Sequence, residues 1–293
     1  IGLLTAIVEK PKGDGRVLRD GSGVVTAIVE DRDATPAQRA INEINTGLMV
    51  LPGGAIRRWV DAVRDDNAQG EFYLTDVISV AVGEGVPVVG VPVEETNEVL
   101  GINDRVQLAA AERILQRRYA LEVMAQGATL ADPGRFDLRG KLTVGRDVFI
   151  DVGAVFTGNV VLGDRVRIGP NSAVSESSLG DDCLVHEHCV IDGVIAGASC
   201  EIGPFARLRP GTEFQERVKA GNFVEVKASN VAPGSKVNHL SYIGDTSVGR
   251  DVNVGAGTIT CNYDGATKHL SLIHISEPTR PRLISYAVVC LKK

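Results

Sequence analysis

The sequence predicts an α/β region followed by a parallel β-helix, and three observations carry that prediction. Bulky apolar residues recur at every sixth position through Val144, Ile150, Phe156, Leu162, Ile168 and Val174. Neither strand alternation nor the helical turn produces that period, whereas a solenoid built from hexapeptides does. Glycine accounts for 33 of the 293 residues and aromatics for only 4%, which suits tight repeated turns better than a large aromatic core. The first hundred or so residues instead alternate β-rich runs with helical stretches.

Residues 3–8 and 24–29 read as strands, and residues 55–63 as an amphipathic helix. A second helix is expected after Gly70, running through Thr75, Asp76, Val77 and Ile78, before Gly85 releases the chain into a strand over 86–93. From 104 to 125 the spacing of Leu, Ile, Val and Ala is helical, Glu112 and Arg113 fall on solvated positions, and Gly127 closes the segment. The turn Asp132-Pro133-Gly134 then precedes the change of period.

In the repeat each hexapeptide supplies one flat face, and three faces make one coil. The phase slips by one at Leu179, holds through Val185 and Ile191, and resumes at Ile202, Leu208 and Phe214 after an irregular patch. It returns at Ile243, Val248 and Val254, for roughly seven coils of about 18 residues. The expected division is an α/β domain over 1–103, a helical connector over 104–127, a β-helix over 128–268 and an unrelated tail over 269–293. That tail carries Pro278 and Pro281, reads as a sequence artefact from about 271, and is set aside for function. Starting at Ile1 without methionine or signal peptide, the chain reads as a fragment lacking both ends.

Composition removes several classes. A net charge of -6 gives no basic footprint for nucleic acid. The longest apolar run, 77–93, is interrupted by Glu84 and Pro87, so no membrane insertion is expected. Five cysteines without a CxxC pair suggest neither a disulfide framework nor a zinc ribbon, and fit a reducing cytoplasm. His186 and His188 have the spacing of two metal ligands on one strand face, but the one candidate third ligand is the distant His239.

Several ordered motifs resemble the bacterial bifunctional N-acetylglucosamine-1-phosphate uridyltransferase and glucosamine-1-phosphate N-acetyltransferase family over about residues 1–268. In the first domain they are Gly13-Asp14-Gly15-Arg16, Ile28-Val29-Glu30, Glu43-Ile44-Asn45-Thr46-Gly47, Asn67-Ala68-Gln69-Gly70-Glu71 and Gly101-Ile102-Asn103. In the second they are residues 203–211, Gly221-Asn222-Phe223-Val224-Glu225-Val226-Lys227, His239-Leu240-Ser241-Tyr242 and residues 255–265.

The resemblance implies a partial nucleotide-diphospho-sugar transferase (Rossmann-like) domain followed by a left-handed parallel β-helix that assembles as a homotrimer. It implies acetyl transfer from acetyl-coenzyme A to glucosamine-1-phosphate, then uridylyl transfer from UTP, giving UDP-N-acetylglucosamine for cell-envelope synthesis. Gly15, Glu30, Asn45 and Asn103 would bind the UDP-sugar, with Asn103 also helping to hold Mg2+. Arg209, Lys227, Tyr242, Asn253 and Lys268 would bind the sugar phosphate, and Ala256, Asn262 and Tyr263 acetyl-coenzyme A. His239 would be the general base and Glu225 its orienting carboxylate, since an imidazole is largely neutral near pH 7 and a neighbouring carboxylate stabilises its cation.

Two other readings stay open. One is a sugar-nucleotide pyrophosphorylase relative whose β-helix serves only assembly or regulation. The other is an inactive trimeric scaffold, and for the chain as given both activities are expected to be impaired.

Overall fold

The computed structural model describes residues 1–9, 11, 13–102, 104–263, 267–273 and 288–289, the last five of the tail (271–273 and 288–289) by backbone alone. Contacts divide the chain into two units, Ile1–Ala111 and Glu112–Lys293.

The first unit is a mixed sheet with helices. Its strands are β1 (Gly2–Ile7), β2 (Arg16–Arg19), β3 (Val25–Val29), β4 (Glu43–Val50) and β5 (Val89–Pro92), in the order β3-β2-β4-β1-β5. β1 lies at the junction, antiparallel to β4 and parallel to β5. Helix α1 (Pro36–Arg39) starts in a capping box made by Thr35 and Gln38, which satisfies two otherwise orphaned amides. Helices α2 (Gly53–Asp61) and α3 (Asp76–Gly83) bring Trp59, Val77 and Ala81 into one buried cluster. A second cluster joins Leu3, Val17, Val25, Ile28, Ile78 and Val88, so α3 packs its other apolar residues on the sheet.

Arg19 holds Glu43 through two bonds across neighbouring strands, Nε to Oε2 at 2.8 Å and Nη2 to Oε1 at 2.6 Å. That hydrogen bonding keeps the Glu43 carboxyl below the usual carboxylate range against the opposing effect of burial. A depressed folded value means the stabilisation is complete above the ordinary glutamate range and disappears as pH falls through the lowered value. Chemical denaturation of the first unit is therefore expected to show acid destabilisation that becomes shallower in Arg19→Met; identical pH slopes in the two proteins would remove the pair from this role.

The second unit is the solenoid. Helix α4 (Arg105–Ala125) reaches into it, where the buried Gln116 side chain accepts from Leu138 N at 2.7 Å and donates to Leu138 O at 2.9 Å. This amide covers backbone groups at the start of the first long strand, which would otherwise be an open edge. Among the described residues one face is an eight-stranded parallel sheet, and the other two are joined where Val155–Leu162 runs around a corner.

Three interior columns follow from the registers. Ile150, Ile168, Val185, Ile202, Ala220, Val237 and Val254 stack along one face. Leu162, Leu179, Ala196, Phe214, Val231 and Val248 stack along the second. Phe156, Val174, Ile191, Leu208, Val226 and Ile243 stack along the third. All are buried in one continuous core. The irregular patch in the sequence is thus regular in space, because the inward positions there are the small Ala196 and, further on, Ala220. The slip at Leu179 is a shorter corner, which makes that coil 17 residues rather than the 18 between Ile150 and Ile168.

The corners also form columns. Asp147, Arg165, Asp182, Ser199, Arg217 and Asp251 are left-handed at one corner, Asn171, His188, Phe205, Phe223 and Leu240 at the second, and Glu176, Ala228 and Asp245 at the third. Non-glycine residues reach this region at a cost of roughly 1–2 kcal/mol each, which stacking of successive coils must offset.

Candidate functional site

On the third face the strands Arg207–Leu208, Glu225–Lys227 and Tyr242–Gly244 lie side by side, with Glu225 in register with Tyr242 and Lys227 with Gly244. Alternating residues point outward, so Arg209, Glu225, Lys227 and Tyr242 gather on one surface patch. Arg209 Nη1 meets Glu225 Oε1 at 2.9 Å and Lys227 Nζ lies 3.5 Å from Asp245 Oδ2. Asn262, mostly buried, donates to Asp245 Oδ2 and reaches the Tyr242 hydroxyl at 3.4 Å. A Cβ at Gly244 would lie 2.4 Å from the Tyr242 hydroxyl, so glycine is needed for the ring to lie across this strand.

His239 ends the strand Lys236–His239 on the adjoining face, and only Leu240 and Ser241 separate it from Tyr242. The ring is exposed and lines a groove of about 540 Å3 together with His186, Glu201, Lys219, Asn222, Lys236 and Asn238. Its Nδ1 is 2.8 Å from Asn222 Oδ1. Glu225, expected to be the orienting carboxylate, is engaged by Arg209 instead, because it sits one strand position past the corner and faces its own column. Sequence reasoning missed Asn222 as the partner. The signal was present, since Asn222 precedes His239 by one 17-residue coil.

The remaining predicted residues fall around this corner. Asn253 lies one coil below Lys236, and its Oδ1 is 3.5 Å from Asn238 Nδ2. Ala256 is exposed on the coil below His239, next to Gly257, whose N–H donates to the His239 carbonyl at 3.3 Å. Tyr263 and Lys268 form a short antiparallel bridge and are exposed. The structure therefore brings Arg209, Glu225, Lys227, Tyr242 and Asn262 together, sets His239 at the next corner, and pairs Lys268 with Tyr263, the residue after Asn262. His186 turns to Glu201 at 3.0 Å while His188 stacks on Phe205, so the two do not share a ligand direction. Among the described residues no three His, Cys, Asp or Glu side chains form a metal-binding group.

In the first unit Gly15, Glu30 and Asn45 line one pocket of about 590 Å3. Asn103, the fourth residue expected there, lies outside the described residues. Gly15 O accepts from Asn45 N at 2.8 Å, and a Cβ on Gly15 would be 2.9 Å from Ile28 Cγ2 and 3.3 Å from Glu30 Oε1. Glu30 Oε1 also accepts from the Thr75 hydroxyl at 2.9 Å. Arg16, only 1% exposed, anchors the loop by donating to the Asp14 and Pro11 carbonyls and to Asp31 Oδ1 at 2.9 Å. Burial raises the Asp14 carboxyl above its ordinary value, partly opposed by Arg16. Asp14 also lines the pocket, while Arg16 and Thr75 lie behind its lining and hold the loop and Glu30 through contacts that the sequence does not display.

No helix among the described residues is long and apolar enough to cross a membrane. Residues 138–239 match the GMPPB C-terminal domain. The chain is 57% identical over 269 residues to the bifunctional protein GlmU of Alkalilimnicola ehrlichii, covering 92% of this chain and 58% of that protein. It is 54% identical over 274 residues to the bifunctional protein GlmU of Methylococcus capsulatus, covering 93% and 59%. A solved UDP-N-acetylglucosamine acyltransferase from Campylobacter jejuni aligns at 16% identity and a TM-score of 0.30, over 50% of this chain and 66% of that one. The chain spans just under three fifths of the curated relatives it matches. With more than half its residues identical along almost its whole length, the chain belongs to the family of the bifunctional protein GlmU.

Proposed function

We propose that the β-helix transfers an acetyl group from acetyl-coenzyme A to glucosamine-1-phosphate, and that the first unit belongs to a site for uridylyl transfer from UTP that yields UDP-N-acetylglucosamine. The observation that carries this is the patch in which Arg209, Lys227 and Tyr242 converge one corner away from an exposed His239. Two cations and a phenol suit a phosphate monoester, and the patch keeps its own carboxylates, Glu225 and Asp245, as partners to be exchanged for the ligand's oxygens. In the transfer the sugar nitrogen attacks the thioester carbonyl, the nitrogen's proton passes to His239, the C–N bond forms and the C–S bond breaks, and the proton leaves with the thiol.

Residues 1–103, 104–127 and 128–268 correspond in this reading to the uridyltransferase portion, connector and acetyltransferase. The pocket around Gly15, Glu30 and Asn45 holds the nucleotide sugar by close backbone approach. Mg2+ prefers a few carboxylates and substrate phosphates; Asn103, the residue expected to help hold it, lies outside the described residues, among which no three His, Cys, Asp or Glu side chains form a metal-binding group. A homotrimer is supported by the exposed column of Phe205, Phe223 and Leu240, which are 47%, 54% and 65% exposed. Free thiols at the buried Cys183, Cys189 and Cys200 support a reducing, cytoplasmic setting.

Calorimetric titration with glucosamine-1-phosphate tests the patch. Arg209→Ala or Lys227→Ala is expected to weaken binding by about 10- to 100-fold, the usual worth of a hydrogen bond to a charged group. Undiminished affinity in both variants would sink the phosphate assignment.

A further inference from the structure

His239 and Asn222 occupy the same position on consecutive coils, in register at the ends of the strands Lys236–His239 and Lys219–Asn222. The backbone holds them close. A Cβ on Gly221 would sit 2.1 Å from the Asn238 carbonyl oxygen, and Leu240 N donates to Asn222 O at 3.2 Å. Immediately after each residue the chain turns through a left-handed corner, at Phe223 (φ 53°) and Leu240 (φ 46°), which aims both side chains out of the same edge.

An amide oxygen only accepts, so the 2.8 Å contact from Asn222 Oδ1 requires the proton to be on Nδ1 of His239. Nε2 then carries the lone pair, on a ring that is exposed and lines the groove. The nearby carboxylates do not compete: Glu225 is held by Arg209, and Glu201 by Lys219 at 2.8 Å and His186 at 3.0 Å. We propose that Asn222 is a positioning residue that fixes the tautomer of His239 and presents Nε2 as the proton acceptor, a deepening that rests on the acetyl-transfer reading above. A neutral acceptor orients the imidazole without adding a charge that would favour its cation, so the ring stays ready to take a proton.

Nitrogen NMR of the imidazole tests this without any turnover. In the unaltered protein His239 is expected to show a protonated Nδ1 and a pyridine-like Nε2, and in Asn222→Leu a mixture of the two forms. Asn222→Asp should keep the Nδ1–H form but move the acid limb of the kcat/KM profile to higher pH, with His186, Glu201, Lys219 and Lys236 facing the same groove unchanged. In turnover, Asn222→Leu is expected to lower kcat by about 10- to 100-fold with little change in KM, as loss of an orienting partner does elsewhere. A protonated Nε2 in the unaltered protein, or an identical tautomer in Asn222→Leu, would overturn the proposal. Should the leucine variant fold poorly, Asn222→Ala and the spectrum of the unaltered protein give the same decision. Failure of the acetyl-transfer reading looks different, since it would leave this tautomer in place with no thiol released.

Discussion

His239→Ala is expected to lower kcat for acetyl transfer by about 10^2- to 10^4-fold, the usual contribution of a positioned general base. Binding of glucosamine-1-phosphate should stay near its starting value, because the cationic patch lies on the adjoining face and makes no bond to the imidazole. The unfolding midpoint should also hold, since the ring is exposed. Thiol release from acetyl-coenzyme A measures the first quantity and calorimetry the second. Normal turnover in this variant would take His239 out of the reaction. The comparison has a further arm: in the His239→Ala background, Asn222→Leu should add almost nothing, because a partner that acts through the imidazole has no target once the imidazole is gone.

Phe156→Ala is expected to destabilise the β-helix by about 3–5 kcal/mol. The side chain is fully buried between Leu138 and Val174 in its column, and its ring is 5.8 Å from that of Phe136. Phe205→Ala removes the same atoms from an exposed corner, where the ring stacks only on His188 and Phe223, and should change stability by less than about 1 kcal/mol. Equilibrium denaturation distinguishes the two. Equal losses would mean that interior and exterior have been assigned wrongly. Because each coil contacts mainly its neighbours, hydrogen exchange in Phe156→Ala should rise first around residues 137–174.

The β-helix was legible because its interior is written in large residues. Ile150, Phe156, Leu162 and Ile168 announce the period directly, whereas Ala196 and Ala220 occupy equivalent places and are invisible to a search for bulk. The strands Arg16–Arg19 and Glu43–Val50 were harder, since one carries two arginines and the other Asn45-Thr46-Gly47, and neither alternates cleanly. Arg16 is a surface residue by type, and only a loop folded back on it with two carbonyls and Asp31 makes its burial tolerable. In the candidate site, the family resemblance pointed to the cationic patch and the imidazole. Their pairing did not follow from chain distance. Glu225 was expected to orient His239, while the fold pairs residues by coil, giving Asn222 to His239 and Glu225 to Arg209.

The site is assembled from vertical neighbours, Asn222 over His239, Glu225 over Tyr242 and Lys227 over Gly244. Length changes therefore come in two kinds. Duplicating or removing an entire turn of the prism upstream of Arg207 leaves each of these neighbours beside its mate. A single residue added inside the strand Lys236–His239 slides its end past the rung above and points inward what had pointed outward, whereas a corner absorbs one residue, as the coils of 17 and 18 residues do. The protein can thus grow or shrink in whole storeys without disturbing its chemistry, but inside the strands that carry the site its spacing admits no intermediate.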